Sequence, residues 1–113
     1  MQSEDTHDKA IDNENDPTLL LIKGSCSDRD ASRTYVKKAA TAILATFQKH
    51  GEVHMRCVGA ASLNNATKAF IIALGDAVTK GVNLAMVPSF KTVNFDNDPG
   101  GPKTAIVLKV IEV

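Results

Sequence analysis

From Leu63 to Lys80 the chain reads as a helix whose apolar side chains wrap most of its circumference. Leu63, Ala66, Ala69, Phe70, Ile71, Ile72, Ala73, Leu74, Ala77 and Val78 together cover an arc of about 260° at 100° per residue. Such a helix has to be covered on several sides, and this requirement governs everything else the chain can build. It is entered through Val58-Gly59-Ala60-Ala61-Ser62, where a strand gives out in small residues. The junction leaves backbone N–H groups at a helix start, beside Asn64, Asn65 and Lys68, a place that suits an anion such as phosphate. Ser62 is placed to cap the helix. Gly75 costs roughly 1 kcal/mol against alanine in a helix interior, which predicts close packing at that point. Gly81 ends the helix.

The remaining segments follow from periodicity and punctuation. Thr18–Lys23 holds a compact Leu-Leu-Leu-Ile run and reads as a first strand, followed by a polar connection over Gly24–Ser32. Arg33–His50 has helical spacing, with Val36, Ala39, Ala40, Ile43, Leu44 and Phe47 on one stripe. Asp30 or Ser32 can cap its start, and Gly51 can close its end in a left-handed conformation. Glu52–Val58 alternates: Val53, Met55 and Cys57 point to one face, His54 and Arg56 to the other, predicting a half-buried strand with His54 outward. Val82–Val93 and Lys103–Val113 read as two more strands, joined across the turn-forming Asp96-Asn97-Asp98-Pro99-Gly100-Gly101 into a hairpin. Pro88 has no N–H for a ladder and puts its strand at a sheet edge.

The order is therefore β-α-β-α-β-β. It implies an α/β chain of the α+β two-layer sandwich type, with two helices on one face of a four-stranded mixed sheet. The first two strands, joined through a helix, are parallel with a right-handed crossover. Adjacent apolar pairs (Leu20 and Leu21, Ile106 and Val107, Val110 and Ile111) put hydrophobic side chains on both sides of the strands. An apolar sheet face left open is an association surface, so a homodimer or larger assembly is expected.

At 113 residues the chain makes one domain. Its zero net charge hides a split. Residues 1–16 carry six acids against Lys9, a net of −5, and residues 17–113 carry twelve bases against seven acids, a net of +5. Without hydrophobic periodicity, residues 1–17 are expected to form a disordered acidic leader ahead of a folded domain at 18–113. Cys26 and Cys57 form no CxxC and read as free thiols of a reducing compartment, Cys57 as a buried small hydrophobe. No run approaches a membrane span and the N-terminus lacks a signal-peptide core, so a cytoplasmic protein is expected.

The stretches VGAASLNNATKAFIIA, GVNLAMVPSF and TAIVLKV, in that order and on those elements, resemble the stage V sporulation protein S family of the Alba-like superfamily. The resemblance runs from about Leu20 to Val113, nearly all of the folded part. It implies an Alba-like nucleic-acid-binding fold, dimerisation and a regulatory role in the developmental programme of spore formers. Alba-type proteins meet nucleic acid with the loop before the first helix and with a long β-hairpin. The matching loop here is Ser25-Cys26-Ser27-Asp28-Arg29-Asp30, which lacks the usual lysine pair, and the hairpin tip carries Asp96 and Asp98 flanked by Lys91 and Lys103.

The residues suggest where phosphates would bind. Arg29, Arg33 and Lys37 lie in or after the first loop, and Arg33 and Lys37 are four apart on one helix face. Both helices of parallel β-α units start at the same end of the sheet, so Asn64, Asn65 and Lys68 belong beside them in one ledge of cations and N–H donors. The bland alternatives are that the cations solvate a helix surface and that the asparagines satisfy local backbone groups. Tyr35 and Phe90 are the only candidates for base stacking, and the sequence assigns both to the core. Binding should then discriminate little between bases and depend strongly on salt. The nucleic-acid site comprises Arg29, Arg33, Lys37, Asn64, Asn65, Lys68, Lys91 and Lys103, with DNA and RNA both open as ligands.

Catalytic chemistry has no support. Ser62 is not in a GxSxG elbow, Gly59-Ala60-Ala61 lacks the Gly-Lys-Ser/Thr ending of a phosphate loop, and His50 and His54 belong to no metal-ligand spacing. The expectation is a non-enzymatic protein without cofactor, metal or small-molecule substrate. The rival is a protein-interaction or assembly module on the same scaffold, favoured by Asp28, Asp30, Asp96 and Asp98.

Overall fold

The computed structural model describes residues 16–94 and 101–113. Six elements follow in the expected order: β1 (Leu19–Ile22), α1 (Arg29–His50), β2 (Val53–Cys57), α2 (Ala60–Thr79), β3 (Leu84–Val93) and β4 (Lys103–Glu112). They form two layers, a four-stranded mixed sheet of order β1-β2-β4-β3 and the helix pair. The two-layer β-α-β-α-β-β build is consistent with the Alba-like architecture that the resemblance implied. Most of the acidic leader, residues 1–15, lies outside the described residues. So does the expected turn through residue 100, with Asp96 and Asp98.

β1 pairs in parallel with β2, as a helical crossover requires, and β3 and β4 form an antiparallel hairpin in unbroken register from Leu84↔Glu112 to Val93↔Lys103. β3 is an edge strand, the place in a sheet where a proline such as Pro88 is tolerated. The core lies between the sheet and the helices. Ile43, Val53, Met55 and Val110 are wholly buried there, each stabilising the fold by roughly 1.5–3 kcal/mol. α2 meets the core through Phe70 and four alanines, Ala66, Ala69, Ala73 and Ala77, with Leu63 and Leu74 packed at its margin.

Several local expectations are corrected. α1 starts four residues early, because Asp28 rather than Asp30 or Ser32 is its cap: the Asp28 carboxylate accepts from the Ala31 N–H at 2.8 Å. α2 starts three residues early, and its cap position is Gly59, at φ 90° and ψ 165°, a conformation reserved in practice for glycine. Ser62 therefore does not cap the helix. It sits in the first turn, where its hydroxyl donates back to the Val58 and Gly59 carbonyls. β2 is buried along its whole length, not half-buried, because it runs between β1 and β4. His54 is 3% exposed and does not point into solvent. On that face Thr18 Oγ1 donates to Asp16 Oδ1 at 2.8 Å, so the 3.0 Å contact of Thr18 Oγ1 with His54 Nδ1 has the imidazole N–H as donor. Burial works to raise the Asp16 pKa, but the two Thr18 bonds and the charges of His54 and His50 outweigh it and hold the carboxyl below its ordinary value.

Nor is Gly75 closely packed. A Cβ built there meets nothing within 4 Å, and nearby Ile71, Ile72 and Val78 are 60%, 45% and 54% exposed. One side of the apolar helix thus stays bare in the single chain. The sheet face away from the helices carries a smaller apolar cluster of Leu19 and Val107, with Leu21 and Val87 exposed on it.

Candidate functional site

The loop that leaves β1 is fastened to the first turn of α2. Asn65, 4% exposed, donates its side-chain amide to the carbonyls of Lys23 at 2.9 Å and Gly24 at 3.1 Å. A Cβ at Gly24 would sit 3.2 Å from the Ser62 backbone N and 3.3 Å from the Ala61 Cβ, tighter than ordinary contact, so a side chain there would make the loop or the helix give slightly. The chain leaving β1 toward α1 is thereby fastened to the start of α2 at one end of the sheet. Asn65 is a structural tie, and its partners lie more than forty residues back in sequence rather than in its own turn.

Around this tie the expected cations assemble unevenly. Arg29 is the first residue of α1, so Arg29, Arg33 and Lys37 follow one another at successive four-residue steps along the helix. Arg33 and Lys37 meet Lys68 of α2 in a single open groove of about 340 Å³, floored by Val36, Ile71 and Ile72. Among the described residues no ion pair engages Arg33, Lys37 or Lys68; the ion pairs Lys80–Asp76 and Lys109–Glu52 lie elsewhere. Asn64 is exposed beside them. The first turn of α2 has no side-chain cap, and Val58 to Ala61 are exposed, so its N–H groups and the positive end of the helix dipole face outward.

Lys91 and Lys103 do not join this strip. They stand opposite Ala105 and Val93, on the sheet face turned away from the helices. Two features escaped the sequence reading. Lys23 donates its backbone N–H to the Tyr35 hydroxyl oxygen at 2.7 Å, and its ammonium lies 5.9 Å from the ring centroid, a cation held at the same rim. Phe90, assigned to the core, is 80% exposed. The edge position announced by Pro88 was the available signal, since an edge strand beyond the helices leaves alternate side chains uncovered.

Matched against models of protein families, residues 30–113 fit Stage V sporulation protein S. The chain belongs to the stage V sporulation protein S family. That membership supports a sporulation-related regulatory role. The match takes in every element from α1 onward, so the groove and the β3–β4 hairpin lie inside the family region, whereas β1 and Lys23 precede it. Among the described residues there is no group of three or more His, Cys, Asp or Glu arranged to hold a metal ion, and no helix is long and apolar enough to cross a membrane. Both cysteines are free. Burial pushes the Cys57 thiol up to about 11, against a smaller opposing effect of a Ser62 hydrogen bond, which keeps it protonated and unreactive.

Proposed function

We propose that this chain is a non-enzymatic regulatory protein that binds DNA or RNA through backbone phosphates, at the rim where the two helices start. The observation that carries the reading is the convergence of Arg33, Lys37 and Lys68, from two helices, on one open groove; the uncapped start of α2 lies about two helical turns before Lys68 on the same helix. Cations and N–H donors fixed on rigid elements position phosphates without reading bases. The Asn65 and Gly24 contacts hold the two halves of the rim in register. Self-association as a dimer or larger assembly belongs to the same reading. It is supported by the exposed Val78 on α2 and by Leu21 and Val87 on the sheet.

A second reading has one specific observation behind it. The floor of the groove is apolar, and phosphates need no Val36, Ile71 or Ile72. An acidic protein segment with apolar anchors would use both floor and rim. Titrating labelled single-stranded and duplex DNA and RNA with the full chain, at two salt concentrations, separates the readings. Micromolar or tighter binding that weakens steeply with salt supports nucleic acid. No binding at low salt refutes it and leaves the protein-partner reading.

A further inference from the structure

The rim accounts for phosphates and leaves an exposed aromatic unexplained. Phe90 lies four residues after Met86 and six after Leu84, both of which pack into the helix-side core, so it projects from the same sheet face as the helices. The register sets Ile22, Cys57, Ile106 and Phe90 in one row across all four strands. At a strand spacing of about 4.8 Å, Phe90 stands roughly 10 Å from Cys57, three residues ahead of the first turn of α2. The ring is therefore on the helix side of the sheet and at the end where both helices begin. Above it lies an open recess of about 250 Å³ lined by Pro88, Ser89, Phe90 and Ile106.

We infer that Phe90 is a stacking platform for an unpaired nucleobase, and that the preferred ligand is single-stranded nucleic acid whose phosphates lie on the helix-start rim. The inference rests on the nucleic-acid reading of the preceding subsection and adds the class of ligand. Three features favour a base over a protein. A phenyl ring covers at most about 250 Å², far short of the roughly 1,000 Å² that a specific protein interface buries, but it matches the face of one base. Pro88, two residues away on the edge strand, withholds an N–H from any strand that would add there, so a partner meets the face rather than the edge. The ring also stands at the end of the sheet where the uncapped first turn of α2 begins, and single strands are held by stacking combined with phosphate contacts. Duplex bases are stacked on one another and cannot reach the ring.

The test is fluorescence anisotropy with the full-length chain and labelled single-stranded DNA and RNA of roughly 16 nucleotides, the upper end of small-domain site sizes. A version with abasic positions and a duplex of equal length run alongside. Phe90→Ala is expected to weaken single-strand binding by roughly 5- to 100-fold, the range for loss of one stacked base. The duplex, the abasic strand and the salt slope should not respond, and Phe90→Trp should restore the affinity. Phe90 is exposed, so the variants should fold, which circular dichroism checks. Unchanged single-strand affinity in Phe90→Ala, where Arg33→Ala/Lys68→Ala lowers it, overturns the platform and leaves the phosphate reading standing. A lower molecular mass of Phe90→Ala by light scattering also overturns it, by making the ring a contact between copies. If the unaltered chain binds no nucleic acid at low salt, both readings fall.

Discussion

Replacing Asn65 by alanine should be the most damaging polar substitution at the helix starts. The side chain is 4% exposed and gives two hydrogen bonds, at 2.9 and 3.1 Å, to the carbonyls of Lys23 and Gly24. Each such bond contributes about 1 kcal/mol net, and a buried acceptor left unsatisfied adds a penalty of about 1–3 kcal/mol. Lys23 is exposed and Gly24 half-buried, so water can reach both carbonyls and most of that penalty drops out. The expected loss is about 2 kcal/mol, equivalent to roughly 8–15 °C in Tm for a domain of this size. The chain has no Trp and a single Tyr, so urea and thermal unfolding are best followed by far-ultraviolet circular dichroism. Asn65→Asp should be at least as harmful, because a carboxylate would face two carbonyl oxygens. The loop after β1 would also lose its fastening to α2, so Asn65→Ala should weaken phosphate binding through the position of that loop. A loss below about 0.5 kcal/mol would refute the idea that this amide ties the loop after β1 to α2.

Other consequences are open to direct measurement. Gly75→Ala should stabilise the chain by about 0.5–1 kcal/mol, since the new methyl enters open space on a helix interior; a loss in urea unfolding would mean that another molecule packs there. Cys57 holds its proton in the folded state up to about 11, against an ordinary value of 9.0. The native state thus binds more protons across that window, and stability falls as pH rises through it. Between about pH 8 and about pH 10.5 the urea midpoint should drop more for the unaltered chain than for Cys57→Ala, and equal drops would contradict the assignment.

The element order was legible because apolar runs, helical stripes and glycine stops agree along the whole chain. Pro88 announced an edge strand, and Gly51 closes α1 at φ 78° as its position after His50 implied. Helix starts were less legible. Asp28, Asp30 and Ser32 are chemically equivalent as caps, and only the path of the loop selects Asp28. At α2 the unusual backbone of Gly59 replaces a side-chain cap, which freed Ser62 for a different bond. Burial on the second sheet face could not be read either. Alternation assigns His54 and Arg56 to that face, but whether a face is covered depends on tertiary arrangement. The same limit hid the exposure of Phe90 and of Gly75. For the candidate site, spacing along one helix placed Arg33 and Lys37 together, and parallel β-α geometry brought Lys68 to them. The separation of Lys91 and Lys103 onto the other face depended on strand register.

The salt dependence of nucleic-acid affinity is the most direct check on the groove between the two helices. Each phosphate neutralised contributes about 0.7 to the slope of log affinity against log salt for a single strand and about 0.9 for a duplex. If Arg33 and Lys68 hold phosphates, the Arg33→Ala/Lys68→Ala variant should bind more weakly, with a slope shallower by about 1.4 and about 1.8 respectively. An affinity and a slope identical to those of the unaltered chain would contradict the account.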